Sequence, residues 1–199
     1  MPKHSSPIHQ PAEPLTTMLT PCPFTQWGMD IVGPFPMASG QRKFLLVAID
    51  YFTKWVEAEP LAHITEGERF TSVAHPQSNG QVEVTNRILV QRIKKRLERV
   101  GGNWTEELTS VLWAYRTTPR GSTGESPFSL VYGTEAIIPA ELRIPSHRVM
   151  HFSEECNSNL LKESLDLIEE LREKVFIRIQ RYKNTMINSY NKSVKARSF

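Results

Sequence analysis

The sequence has little cysteine and no long hydrophobic run. Its two cysteines, Cys22 and Cys156, lie far apart, which excludes a disulfide framework and a CxxC zinc knuckle. No apolar run approaches the ~20 residues that cross a bilayer, and no basic-then-apolar leader precedes a small-residue cleavage site. We therefore expect no zinc cofactor and no membrane partner, and the cysteine content fits a reducing compartment.

The sequence also lacks a strong excess of either charge. It carries 24 Lys and Arg against 21 acids in 199 residues, a net charge of +3. This mild basic bias permits a polyanionic partner without demonstrating one. Apolar residues at 39% and charged residues at 23% are close to globular averages, which argues against wholesale disorder.

Composition divides the chain into four segments. Residues 1–23 are rich in Pro, Ser, His and Thr and predict an irregular leader. A core is expected over residues 24–133, followed by a proline-containing linker at 134–150. Residues 151–199 have a spacing of apolar residues near 3.6, which predicts a long amphipathic helix.

Three strands are predicted in the first part of the core. Residues 27–32 alternate with the period of a strand, 44–49 form a continuous apolar run, and 55–59 alternate again until Pro60. The short connections between them favour a meander. The expected fold class is therefore α/β, with the sheet followed by helices.

The first helix after the strands is predicted to run from Gly80 to Val100. Ser78 is the expected N-cap, with Gln81 completing a capping box, and Gly101 ends the helix. Its buried side should comprise Val82, Leu89, Ile93, Leu97 and Val100.

Three further helices follow. Asn103 is the predicted cap of the second helix, and Ser126 with Pro127 opens a short third one that Gly133 ends. The fourth is expected from Ser153 to Tyr190, acidic in its first half and basic in its second, as suits the helix dipole. A solvated amphipathic helix, self-association and contact with nucleic acid all remain open for it. Its predicted apolar positions are Leu161, Leu165, Ile168, Leu171, Val175, Ile179, Tyr182, Met186 and Tyr190.

Asp30 and Glu83 are the candidate catalytic and metal-binding residues. Asp30 places a carboxylate in the middle of an otherwise apolar strand, which is costly without a partner or a cation. Glu83 falls in the first turn of the predicted helix, where the helix dipole alone would favour an acid. From the residues alone, a structural role and a metal-binding role stay open for both.

Basic residues follow Glu83 along the same predicted helix. An acid at the head of a basic face suits a site that holds a metal while the basic side chains contact phosphates. We therefore predict that nucleic acid is bound by Arg87, Lys94, Lys95, Arg96 and Arg99.

Four strings now occur in order: WGMDIVGPF, FLLVAIDYFTKWVEA, HPQSNGQVEVTNR and WAYRTTPRGSTGESPFSLVYG. Together they resemble the catalytic-core region of the integrase in the Pol polyprotein of gypsy-type LTR retrotransposons, as found in plant genomes. The resemblance extends from about residue 11 to residue 199. It implies a ribonuclease-H-like core that trims the ends of the element's DNA and joins them to target DNA.

The resemblance also implies a DDE triad that binds magnesium or manganese. Asp30 matches the family's first Asp, and Glu83 matches its Glu. Two cations about 4 Å apart would hold the attacking and leaving oxygens in line. The implied partners are the element's DNA ends and target DNA, which places the protein in the nucleus.

The family's second Asp is missing from this sequence. In the family it lies in a DNG-type motif, after a helix and two strands, but here PLAHITEG is followed directly by ERFTSVAHPQ. This departure predicts an internal deletion near residues 65–70, an incomplete sheet with an apolar edge at residues 27–32, and the loss of two-metal strand transfer. The family's zinc-binding HHCC module and small β-barrel are expected beyond the two ends of the sequence.

Asp50 is the tempting substitute for the missing Asp. It matches an Asp of the family that is not a metal ligand, however. If the first two strands pair as a hairpin, Asp30 faces about Val47, and Asp50 lies about 10 Å further along at ~3.3 Å per residue. We therefore do not expect Asp50 to replace it.

Two other interpretations remain open. The chain could be a non-enzymatic remnant that binds nucleic acid, or a decayed gene fragment that does not fold stably. Self-association also stays open.

Overall fold

The computed structural model describes residues 20–64, 76–137 and 150–193. Most of the predicted leader and linker, and the predicted deletion near 65–70, lie outside the described residues. The helices and strands within them are β1 (Trp27–Val32), β2 (Phe44–Asp50), β3 (Val56–Leu61), α1 (Pro76–Val100), α2 (Trp104–Arg116), α3 (Pro127–Tyr132) and α4 (Glu154–Ser193).

The three strands form an antiparallel sheet in the order β1-β2-β3, which confirms the predicted meander. Asp30 pairs with Val47, the register expected from the hairpin. The sequence predicted that Pro60 ends the third strand, but Pro60 lies inside β3, opposite Leu45. It is tolerated there because β3 is an edge of the described sheet, where a missing N–H leaves no strand partner unsatisfied. The sheet and helices are compatible with an α/β fold, and the ribonuclease-H-like assignment stays a prediction.

The main core lies between the sheet, α1 and α2. The buried side of α2 comprises Trp104, Leu108, Val111, Leu112 and Tyr115. On α1, Leu97 is only half-buried, and Val100 is 58% exposed because the helix ends there and neighbouring elements no longer cover it. The fully buried members from β2 and α1 are Leu45, Val47, Ile49, Val82, Leu89 and Ile93.

Helix α1 starts earlier than the sequence predicted. It begins at Pro76, so Ser78 lies inside the helix and is not its N-cap. Proline is favoured at the first helical position, where its fixed φ suits the helix and its missing N–H costs nothing. One consequence is that Glu83 lies beyond the first turn, which contains no acid.

The predicted caps of the next two helices are confirmed. The Asn103 side chain accepts a hydrogen bond from the Thr105 amide at the start of α2, at 3.2 Å. Ser126 Oγ accepts from the Ser129 amide at 3.0 Å, and Gly133 ends α3 with a φ of 75°. These caps satisfy amides that the first turn of a helix leaves without partners.

Helix α4 is buried only in its middle. Val175 and Ile179 pack against Phe52 and Leu130, whereas both ends of the predicted stripe are exposed. At ~1.5 Å per residue, the 40 residues of α4 extend over about 60 Å, so the contact with Phe52 and Leu130 covers only part of the helix. No helix within the described residues is long and apolar enough to cross a membrane. The predicted positions that prove exposed are Leu161, Leu165, Tyr182 and Met186.

Candidate metal site and basic helix face

The candidate site forms where α1 crosses β1. Gly28 is buried in β1, and a Cβ atom built on it would lie only 2.5 Å from Cγ2 of Val82 on α1. The absence of a side chain at Gly28 therefore lets the helix approach the strand closely. Asn86 lies one helical turn after Val82, and Asp30 lies two residues after Gly28. The side chains of Asn86 and Asp30 meet there.

Asp30 is half-buried, and both of its carboxylate oxygens accept hydrogen bonds. Oδ1 accepts from the backbone amide of Ile31 at 2.8 Å, and Oδ2 accepts from Nδ2 of Asn86 at 2.8 Å. The second bond joins β1 to α1. The carboxylate that the sequence singled out is therefore held by the helix that carries Glu83.

Glu83 is exposed and precedes Asn86 by three residues on α1. Residues at this spacing are neighbours on a helix, with Cβ atoms about 5–6 Å apart. Glu83 therefore lies on the helix whose Asn86 holds Asp30, and a site shared by the two acids stays a prediction. The helix dipole does not account for an acid here, because its effect falls off within the first turn.

Asn86 is the residue at this junction that sequence reasoning missed. Its side chain is 7% exposed, and its Oδ1 atom is buried without a hydrogen-bond partner among the described residues. Buried acceptors are normally satisfied, so this atom requires an explanation. The available signal was a polar residue at a core-facing position, between Val82 and Leu89.

The carboxylates of Asp30 and Glu83 are hard oxygen donors of the kind that a divalent cation binds. Within the described residues, no group of three or more His, Cys, Asp or Glu is placed to hold a metal ion. Asp30 and Glu83 would therefore hold a cation with water as the remaining ligands, which fits weak binding at most.

Asp50 is fully buried, and its carboxylate is used within the turn that follows β2. Oδ1 accepts from the Phe24 amide at 3.0 Å, and Oδ2 accepts from the amide and the hydroxyl of Thr53, at 2.8 and 2.6 Å. Asp50 pairs with Trp27, three residues away from the level of Asp30. This geometry agrees with the expectation that Asp50 is a structural carboxylate.

The five predicted nucleic-acid-binding residues differ in their exposure to solvent. Arg87, Lys94, Lys95 and Arg99 are exposed on α1. Arg96 is half-buried, and its guanidinium forms an ion pair with Glu107 of α2. Its charge is therefore partly neutralised within the protein. The four exposed residues form the surface that we call the basic face of α1.

A buried lysine adjoins the head of α1. Lys54 is 7% exposed, and its Nζ atom donates to the carbonyl of Tyr51 at 2.7 Å and to the side chain of Gln81. Burial and, to a smaller extent, the nearby charge of Lys183 on α4 lower the pKa of Lys54 to about 7, and Asp50 opposes the shift. Sequence reasoning missed Lys54, because a lysine in a turn normally indicates a solvated side chain.

Comparisons with known proteins bear on this arrangement. No family model matches the chain. The chain is 28% identical over 193 residues to the Gag-Pol polyprotein of avian reticuloendotheliosis virus, covering 75% of the chain and 16% of that protein. It is 30% identical over 155 residues to the Gag-Pol polyprotein of feline leukemia virus, covering 56% and 9% respectively. With the Pol polyprotein of Radiation murine leukemia virus (strain Kaplan), the identity is 28%, over 56% of the chain and 26% of that protein.

These similarities support a region derived from a retroviral or retroelement Pol polyprotein. The predicted Pol origin is thereby confirmed, whereas the gypsy-type and plant-like assignments stay predictions. The chain spans between 9% and 26% of the length of these three relatives. Activities of the complete polyproteins therefore do not transfer to it directly.

Proposed function

We propose that this chain is the remnant of an integrase catalytic core with a ribonuclease-H-like ancestry, from a gypsy-type LTR retrotransposon. Its ancestral role is DNA integration: processing of element ends and strand transfer into target DNA in the nucleus. The observation that carries the proposal is the hydrogen bond between Asn86 and Asp30. It supports the proposal because it joins the first acid of the motif to the helix that carries the second.

The comparison with the reticuloendotheliosis virus protein supports the proposed internal deletion. The alignment runs over 193 positions but covers only 75% of the 199-residue chain. That relative therefore has aligned positions with no counterpart here. A loss of this kind agrees with the missing segment between PLAHITEG and ERFTSVAHPQ.

The proposed remnant binds one magnesium or manganese ion weakly and does not catalyse two-metal strand transfer. A bound cation would stabilise charge on a phosphoryl oxygen, and Asp30 and Glu83 would hold it at the β1–α1 junction. The test is a strand-transfer assay with the purified chain, a DNA duplex ending in element sequence, and Mg²⁺ or Mn²⁺. We expect no joined product, and joining that disappears in Asp30→Asn would contradict the proposed loss of catalysis.

A second function, DNA binding without catalysis, is favoured by the basic face of α1. The four exposed cations are free of the ion pair that engages Arg96. Contacts of this kind grip phosphates without reading sequence, and each neutralised phosphate releases counterions. The basic face therefore predicts DNA binding that weakens steeply with salt.

The DNA-binding test is a salt titration of affinity for an arbitrary duplex. Lys94→Gln and Lys95→Gln should each reduce the slope of log K against log salt by about 1. Arg96→Gln is the internal control and should change the slope less. A slope near zero in the unmodified chain would refute phosphate-driven binding. Non-cooperative thermal unfolding would instead favour a decayed gene fragment.

A further inference from the structure

Two arginines outside the basic face of α1 lie close together. Arg120 is in the loop between α2 and α3, and Arg92 is on α1. We infer that their guanidinium groups form a preorganised site for one phosphodiester group of bound DNA. Neither residue is among the five that the sequence predicted to bind nucleic acid. The inference rests on the proposed DNA-binding function, which it deepens by naming one fixed point of contact.

The loop between α2 and α3 holds the backbone of Arg120 in place. The Arg120 amide donates to the carbonyl of Glu125 at 3.0 Å. The Arg120 carbonyl accepts from the amides of Thr123 and Gly124, at 3.2 and 2.6 Å. Three hydrogen bonds therefore close a turn around Arg120, and its Cα atom has a defined position.

The side chain of Arg120 is fixed by Tyr115, near the end of α2. Nη2 of Arg120 donates to the carbonyl of Tyr115, and Cζ lies 3.5 Å from the centroid of the Tyr115 ring. Tyr115 is 2% exposed within the main core, so the support itself is rigid. A guanidinium that is already ordered by stacking and hydrogen bonding loses little freedom when it binds a ligand.

One part of this guanidinium is open to a ligand. Nε is buried without a hydrogen-bond partner among the described residues, and Nη2 is engaged by Tyr115. Nη1 has no described partner either, but unlike Nε it is not buried. Arginine presents its N–H groups in a planar fork that matches phosphate oxygens. A phosphate oxygen can therefore bind at Nη1 without displacing the contacts to Tyr115.

Arg92 supplies a second positive charge beside Arg120. Helices α1 and α2 are joined by three residues and run back along each other, and Arg96 pairs with Glu107 near that joint. Arg92 lies one helical turn from Arg96, towards the level of Tyr115. Burial lowers the pKa of Arg120, Tyr115 raises it, and the charge of Arg92 lowers it. The two guanidinium groups are therefore close enough to repel each other.

No carboxylate within the described residues neutralises this pair of arginines. The ion pairs between described residues use the cations Arg96, Arg116, Arg172 and Lys174. Arg92 and Arg120 are both half-buried, where repulsion between like charges is stronger than in bulk water. A phosphate bound by both would replace this repulsion with charge-assisted hydrogen bonds.

The position of Arg92 on α1 favours the DNA backbone over a single free phosphate. Lys95 and Arg99 follow Arg92 at spacings of three and seven residues, which places all three on one side of the helix. A DNA strand carries its phosphates in a row. A strand that contacts Lys95 and Arg99 can therefore present a further phosphate to Arg92 and Arg120.

Arg92→Gln in the full chain is the first test, with DNA affinity and thermal unfolding both measured. The substitution removes one of two repelling charges, so the melting temperature should equal or exceed that of the unmodified chain. Affinity for an arbitrary duplex should nevertheless fall about tenfold, the usual effect of losing a hydrogen bond to a charged group. A lower melting temperature with unchanged affinity would make Arg92 structural and overturn the inference.

Arg120→Lys is the second test, because lysine keeps the charge but loses the planar fork and the stacking on Tyr115. Affinity should fall at least about threefold, with the slope of log K against log salt unchanged. Arg42→Lys makes the same substitution at an exposed position between β1 and β2 and should leave affinity unchanged. Affinity of Arg120→Lys equal to that of the unmodified chain would overturn the inference. If Arg120→Lys does not fold, Arg92→Gln still decides.

Inorganic phosphate distinguishes a free anion from the DNA backbone. At constant ionic strength, replacing chloride with phosphate should raise the melting temperature much less than the same concentration of phosphate groups in a duplex, because a ligand stabilises in proportion to its binding. Saturable stabilisation by inorganic phosphate that a duplex does not displace would identify a free-anion site. That result would overturn the assignment to DNA.

The outcome for the proposed DNA-binding function is read separately. If the unmodified chain shows no salt-dependent DNA binding, that function is refuted, and the inference fails with it. If Lys94→Gln reduces the salt slope whereas Arg92→Gln and Arg120→Lys leave the affinity unchanged, DNA binding stands and only this phosphate site is refuted.

Discussion

Gly28 and Val82 set the distance between β1 and α1. A Cβ atom on Gly28 would lie 2.5 Å from Cγ2 of Val82 and would also clash with the hydroxyl of Tyr51. Distances this short require the side chains of Val82 and Tyr51, or the elements that carry them, to move. Gly28 thus permits the close approach of α1 to β1 beside the hydrogen bond between Asp30 and Asn86.

Gly28→Ala should therefore destabilise the protein by about 1–3 kcal/mol, the usual cost of overpacking a core. The measurement is chemical denaturation monitored by tryptophan fluorescence. Gly80→Ala is the matched control: a Cβ atom there meets nothing within 4 Å, and alanine favours the helix by about 0.5–1 kcal/mol. Equal stability of Gly28→Ala and the unmodified chain would show that the helix approaches the strand less closely than described.

The buried Lys54 predicts that stability rises with pH. In the folded protein burial lowers its pKa to about 7, whereas the unfolded side chain titrates near 10.4. Between these values the unfolded chain holds a proton that the folded chain has released. The free energy of unfolding should therefore increase from pH 7 towards pH 10, by at most about 1.4 kcal/mol per unit.

Lys54→Met should flatten this pH dependence, measured by denaturation at several pH values. The flattening should be incomplete, because burial also lowers the pKa of Lys183, which contributes with the same sign. Lys94→Met makes the same substitution at an exposed position and should leave the slope unchanged. An unaltered slope in Lys54→Met would refute the assignment of the pH dependence to this residue.

Local signals in the sequence predicted most of the secondary structure. The alternation in β1 and β3, the apolar run of β2, the cap at Asn103 and the glycine after α3 all act over a few neighbouring residues. The prediction of Ser78 as the N-cap was wrong, because the sequence offers two starts for α1. The helix adopts the earlier one, with Pro76 at its first position. Because such signals compete over a few residues, they predict the ends of helices and strands less accurately than the presence of these elements.

The candidate site required three-dimensional information. Asp30 and Glu83 could be selected from motifs, but the hydrogen bond between Asn86 and Asp30 joins residues 56 positions apart. The ion pair of Arg96 with Glu107 likewise depends on how α1 and α2 cross. The apolar period of α4 was correct, yet periodicity cannot tell how much of a helix another element covers.

The partial burial of α4 gives the third prediction. Ile179 is 4% exposed in the cluster with Phe52 and Leu130, whereas Met186 on the same stripe is 56% exposed. Ile179→Ala should reduce the free energy of unfolding by about 2–5 kcal/mol, because it leaves a cavity. Met186→Ala should change it by less than about 0.5 kcal/mol. Comparable losses in the two variants would mean that the end of α4 is covered in solution.

The cap of α2 gives the last prediction. Asn103 accepts from the Thr105 amide, and its Nδ2 atom also donates to Ser39 at 3.2 Å. Asn103→Ala removes both bonds and should cost about 1 kcal/mol in thermal or chemical denaturation. Asn103→Ser keeps an oxygen able to cap the helix but loses the contact with Ser39. Stability of the serine variant close to that of the unmodified chain would assign the effect to the cap, and stability equal to that of the alanine variant would assign it to Ser39.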